Sequence, residues 1–181
     1  MAAIEFTLLG DAVWLDFINT ARGRTAPPPE LLTDFGAWQR WAQSRKLDGG
    51  SAPAEFPAIR VFRDRLTELA EALDANRPPP GATIAALNEV LGHRAGTEQL
   101  TRVSGHWRLR FAAGRTATAL EVIAHSAAKT ITDRLTRVRR CAGESCTLFF
   151  TDSSPTGSRR WCDASVCGGD ARVERRRGIL R

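Results

Sequence analysis

The chain has four cysteines, and they form two matched C-x4-C pairs, Cys141/Cys146 and Cys162/Cys167, with fifteen residues between the pairs. A tight four-residue loop can present two thiolates to adjacent corners of a tetrahedron. A second such loop, delivered by the returning chain, closes the sphere, which is the pattern of a structural zinc site. Four thiolates leave no open position for water or substrate, so the ion would hold the fold rather than run a reaction. The alternative is two disulfides in a secreted domain. The opening MAAIEFTLLGDAVW has neither a basic leader region nor a small-residue cleavage pattern after an apolar stretch, which points away from secretion and toward a reducing cytoplasm.

With 181 residues the chain can hold one domain, or a medium domain followed by a small one. No apolar run approaches the ~20 residues of a membrane helix, so a soluble protein with no membrane partner is expected. The formal charge of +6 is unevenly placed. Residues 1–133 carry 15 basic and 15 acidic side chains, whereas residues 134–181 carry 11 arginines against 5 acidic groups. The net positive charge therefore belongs to the segment that also holds the cysteines.

The N-terminal part reads as mostly helical. Ile4–Leu9 suggests a short strand and Ala12–Thr20 a helix. After the loop Arg24–Pro29, a helix from Glu30 places Leu31, Phe35, Trp38 and Trp41 at helical spacing and stops at Gly49-Gly50. Ile59, Phe62, Leu66, Leu69 and Leu73 predict a further helix, ended by Pro78–Pro80. Thr83 would cap a shorter one that turns Ile84, Leu87 and Leu91 inward and stops at Gly92 or Gly96. Between Gln99 and Ala112 the period becomes two, with Trp107, Leu109 and Phe111 on one face and a turn at Ser104-Gly105, which predicts a β-hairpin. From Thr116 to about Arg140 a long helix would present Leu120, Ile123, Ala127, Ile131, Leu135 and Val138 and run into the first cysteine.

Between the cysteine pairs, Thr147–Phe150 and Arg159–Trp161 read as two strands joined by the turn Ser153–Gly157, and the second pair leads into a helix bearing Arg172, Arg175, Arg176 and Arg177. Knuckle, hairpin and helix make a treble-clef finger. The segment RRCAGESCTLFFTDSSPTGSRRWCDASVCGGDARVERRR resembles the CGNR zinc finger in its C-x4-C, its apolar strand followed by Asp152, its Arg-Arg-Trp-Cys block and its second C-x4-C. The segment Leu15–Thr20 and the following LLTDFGAWQRWAQ are similar to the ABATE domain that precedes such fingers. The expected architecture is α+β, with residues 1–138 an ABATE-like ligand-binding domain containing a β-hairpin and residues 139–181 a small treble-clef zinc finger. The resemblance implies a bacterial transcription regulator with one structural Zn2+, DNA as partner, and a small-molecule effector read by the N-terminal domain. Where that family motif reads Cys-Gly-Asn-Arg, this chain has Cys167-Gly168-Gly169-Asp170. The exchange puts an anion where a phosphate-binding cation would stand.

Arg159, Arg160, Arg172, Arg175 and Arg176 are the candidates for phosphate contact, since guanidinium groups fork onto phosphate oxygens, against the alternative of a solvated charged face. Asp16, Asn19 and Thr20 stand among apolar neighbours and need partners, which a ligand, a helix cap or a loop tie would each supply. Trp14, Trp38, Trp41 and Trp161 read as core. No nucleophile, base and oxyanion set is recognisable, so no enzymatic activity is expected. The competing function is a zinc-stabilised protein-interaction module, favoured by Gly169-Asp170. A homodimer is compatible with the sequence.

Overall fold

A computed structural model of the chain describes residues 6–25, 27–94 and 96–168. Among the described residues, five α-helices and two antiparallel hairpins make it α+β. The helices are α1 (Val13–Ile18), α2 (Phe35–Ser44), α3 (Phe56–Asp74), α4 (Gly81–Gly92) and α5 (Ala119–Thr132). The strands are β1 (Gly96–Val103), β2 (His106–Ala113), β3 (Arg137–Arg140) and β4 (Phe149–Asp152).

The apolar stripes do what their spacing predicts. Trp14, Phe17, Trp38, Trp41, Leu66, Leu69 and Ile123 are buried in one cluster. The rings of Trp38 and Trp41 stack at 5.4 Å, and Phe17 meets Trp38 edge-on at 5.5 Å, a geometry that adds about 1 kcal/mol per pair beyond area burial. The β1–β2 hairpin pairs Gly96 with Ala113 through Val103 with His106, and Ser104 and Gly105 both take positive φ, which matches the twist of the strands they join.

Several boundaries differ from the sequence expectation. Residues 6–9 form no strand, and residues 1–5 lie outside the described residues. The second helix begins at Phe35, not near Glu30, because the Asp34 carboxylate accepts from the Ala37 N–H and fixes the cap there. Glu30 is instead drawn to the buried Arg63, which also donates to the Thr20 hydroxyl at 3.0 Å. Helix α4 begins at Gly81, and Thr83 does not cap it; its buried hydroxyl donates to the Arg65 carbonyl at 3.2 Å. The expected helix to Arg140 ends at Thr132. There the Asp133 carboxylate takes the Leu135 N–H and the Thr136 hydroxyl, and this local turn outcompetes the next helical turn. Leu135 is left exposed, and Val138 reaches the core from a strand.

The second hairpin is also differently built. β4 pairs with the preceding β3, Arg137 opposite Asp152 through Arg140 opposite Phe149, and not with Arg159–Trp161, which forms no strand. The buried Asp152 carboxylate explains the change: it accepts from the Ser154 N–H, the Ser154 hydroxyl and the Arg159 N–H, closing the 153–159 segment as a loop. The first cysteine pair thus lies in the connection between β3 and β4, and the expected boundary after residue 138 falls inside β3. Along β4 the side chains alternate between two cores. Phe149 joins the large helical cluster, while Leu148 and Phe150 pack with the four cysteines, Leu9 and Trp161.

Candidate metal centre

The ladder of the second hairpin delivers the first two thiols. The Cys141 N–H donates to the Leu148 carbonyl, and the Ala142 N–H to the Arg160 carbonyl, so the knuckle is tied to both the strand that leaves it and the segment that brings the second pair. All four sulfurs lie within 4.8 Å of one another, with Cys146 to Cys162 at 3.9 Å and Cys162 to Cys167 at 3.8 Å. Tetrahedral zinc with bonds of about 2.3 Å requires sulfur separations of about 3.8 Å. The four are buried and form no disulfide. The chemistry of this set fits a cation: four packed thiols cannot all ionise by themselves. Hydrogen bonding from Cys146, with help from the Arg24 guanidinium, draws the Cys162 thiol down to about 5, whereas Cys146 is pushed up by the bond it gives Cys162 and Cys167 is pushed up by burial to about 12. A divalent ion at their centre would hold all four as thiolates. The Cys162 N–H also points at the Cys141 sulfur at 3.4 Å.

The centre is bound to the N-terminal segment along its length. Thr147 and Gly23 exchange backbone and hydroxyl bonds, the Ser145 hydroxyl donates to the Arg24 carbonyl, and the Thr151 N–H donates to the Gly10 carbonyl. The Asn19 amide bonds both backbone groups of Phe149.

The profile of the ABATE family, described as "Putative stress-induced transcription regulator", matches residues 11–134, and that of the CGNR zinc finger matches residues 137–178. The chain belongs to the ABATE family. No curated protein matches it. The CGNR finger carries one structural Zn2+, with Cys141, Cys146, Cys162 and Cys167 positioned to bind it. Among the described residues, no helix is long and apolar enough to cross a membrane.

In the ABATE part, the three polar residues singled out for a ligand are buried and bonded within the fold. Asp16 accepts from the Gly10 N–H at 2.8 Å and lies 3.4 Å from Arg45, Asn19 holds Phe149, and the Thr20 hydroxyl donates to the Phe17 carbonyl. Burial pushes the Asp16 carboxyl up to about 6, against the pull of the Gly10 bond and Arg45. None of the three lines the cleft of about 660 Å³ that opens between α3, α4 and the start of α5. Its walls include Ala58, Ile59, Phe62, Val90 and Leu120. At its rim, Arg115 is paired with Glu121 and Arg65 with Glu68. The sequence does not reveal it, because its walls come from separate helices and each residue alone reads as ordinary amphipathic packing.

The finger's expected phosphate ligands divide. The Arg159 guanidinium is engaged inside the protein, on Asp11 and the carbonyls of Thr151, Trp161 and Cys162, and lies over the Phe150 ring at 4.5 Å. Arg160 is exposed and rests on the Trp161 ring. Arg172, Arg175, Arg176 and Asp170 lie outside the described residues. The structure adds a second group that the sequence reading does not contain: Arg134, Arg137, Arg139 and Arg140, of which the first three line a polar cleft of about 540 Å³ beside β3. Its sequence signal is the run Arg134-x-x-Arg137-x-Arg139-Arg140, which a helical period spreads around a cylinder.

Proposed function

We propose that this ABATE-family chain is a regulator that binds DNA through the CGNR finger and the strand leading into it, under the control of a small molecule held by the helical part. The division follows the expected units, residues 1–138 for sensing and 139–181 for the treble-clef finger, with β3 belonging structurally to both. The observation that carries the DNA reading is the arginine group on β3. Arg137, Arg139 and Arg140, with Arg134 before them and Arg160 opposite the knuckle, form no ion pair among the described residues. Arg137 and Arg139 share one face of β3 and line the cleft with Arg134, and unpaired guanidinium groups on one strand face suit phosphates that follow one another along a backbone.

For the effector, the apolar cleft replaces the Asp16, Asn19 and Thr20 group as the proposed site. Both of its arginines are already paired, while Glu55 and Glu89 at its rim form no ion pair among the described residues. An apolar molecule with an amine or guanidine group matches that balance. The experiment for the DNA reading is a titration of the zinc-loaded protein against random duplex DNA over a range of salt. The wild type should bind with a steep salt dependence, and Arg137→Ala/Arg139→Ala should lower the log–log slope by about 0.9 for each phosphate that is no longer neutralised. For the cleft, Ala58→Trp places a bulky ring at its exposed wall and should abolish thermal stabilisation by a hydrophobic amine. The second reading, a protein-interaction module, is favoured by Asp170 in place of the family's cation. It becomes the better account if wild type and double variant show the same weak, salt-insensitive binding.

A further inference from the structure

The β1–β2 hairpin stands outside both cores, touched at its base by the Arg94 guanidinium, which lies 5.2 Å from the centre of the Phe111 ring. Every residue of its two eight-residue strands is exposed or half-exposed, and none joins either core cluster. A lone two-stranded hairpin is marginal in water, and this one turns its apolar side outward. The register places Glu98, Leu100 and Arg102 of β1 beside Phe111, Leu109 and Trp107 of β2 on one face. Leu100, Trp107 and Leu109 are each at least 60% exposed, and Phe111 is 46% exposed. The other face carries Thr97, Gln99, Thr101, Arg108 and Arg110 and is the ordinary solvent side of a strand pair.

We propose that this face is the dimer interface of the protein, its occupant being the same face of a second copy. The argument is self-complementarity. A two-fold axis lying between two such faces, perpendicular to the strands and passing through the Leu100–Leu109 pair, sets each residue against the one equally far on the other side of that pair. Leucine then meets leucine and Phe111 meets the partner's Trp107. Glu98 meets the partner's Arg102, twice over. Within one copy Glu98 and Arg102 are about 13 Å apart along the strand, and among the described residues neither forms an ion pair. A charged residue of each sign placed symmetrically about an apolar centre is what an isologous contact requires, since one patch must complement itself. The face measures about 26 Å by about 10 Å, so the contact is smaller than the ~800 Å² per partner of a permanent interface, and the dimer forms and dissociates with concentration.

Sedimentation equilibrium of the full zinc-loaded chain tests this. The wild type should show a reversible monomer–dimer equilibrium. Leu109→Lys should shift it fully to monomer, while circular dichroism and zinc content stay unchanged, because the hairpin lies outside both cores. Glu98→Arg and Arg102→Glu should each weaken the dimer about a hundredfold by setting like charges face to face. Mixing the two single variants should restore it as a heterodimer, in which both pairs again have opposite signs. A wild type that stays monomeric throughout overturns the proposal and leaves the face to the C-terminal residues or another partner. A dimer insensitive to Leu109→Lys, or one abolished by Leu109→Lys but indifferent to both charge reversals, overturns it as well.

Discussion

The Asn19 side chain donates to the Phe149 carbonyl at 2.9 Å and accepts from the Phe149 N–H at 3.0 Å, so a single amide completes both backbone bonds of a residue 130 positions away. It takes the place of a neighbouring strand on the inner edge of β4. With the Thr147–Gly23 and Thr151–Gly10 bonds it ties the helical part to the finger.

Asn19→Ala should therefore act as a break between the two parts. It leaves a buried donor and a buried acceptor without partners, which costs about 2–4 kcal/mol for the two groups. Urea unfolding is expected to show that loss, and Asn19→Asp should cost at least as much, because a buried carboxylate sets an oxygen against the Phe149 carbonyl where the amide N–H donated. A change of only a few tenths would mean that water replaces the amide and that the link is weak.

Zinc removal should reach beyond the finger. Metal analysis is expected to give one ion per chain, and Cys167→Ser to abolish it, because in so small a unit metal binding is folding energy. With β4 released, the helical domain should stay folded but melt earlier, since it loses the packing of Phe149. Removal of a buried Phe side chain costs about 3–5 kcal/mol and sets the scale. An unchanged helical melting curve in Cys167→Ser would show that β4 keeps its place without metal.

Asp16 predicts an unusual slope of stability with pH. Its carboxyl is raised from 3.8 to about 6 by burial, so between those values the folded state holds a proton that the unfolded chain has lost. Stability is then fully present below the lower value and falls as pH rises toward the upper one, by about 3 kcal/mol. Glu30, Asp152 and Asp163 are held below their ordinary values and act oppositely, at lower pH. Asp16→Asn should flatten the decline between pH 4 and 6 in denaturant midpoints measured across that range. Parallel curves for the two proteins would show that Asp16 ionises as freely folded as unfolded.

The parts legible in the sequence are those set by local spacing. The cysteine pairs, the stripe of α3 and the alternation of β1 and β2 each follow from a period a few residues long. What escapes is decided by competition between distant partners. Ile131, Leu135 and Val138 continue a helical period without a break, and only the Asp133 carboxylate, capping its own turn, ends the helix before them. The turn residues after Asp152 suggest a local hairpin, but β4 has a better partner already placed across the knuckle. Asn19 and Thr20 are recognisable as polar groups needing partners; that those partners are Phe149 and Arg63 is a fact of three-dimensional closure that no window of sequence contains. The arginines of β3 are hidden by the same helical period that runs on past Thr132.

The alternation of Phe149 and Phe150 also limits what inheritance can do with this chain. A finger that could be cut out and attached elsewhere would have to end where its own packing ends, and here one residue of a two-phenylalanine step belongs to each side. A single inserted or deleted residue before Phe149 would exchange their directions and spoil both interiors at once. Recombination near this strand should therefore survive only when the donor brings a matching residue at position 149 together with an amide at position 19, so that the two halves travel through a lineage as one heritable unit.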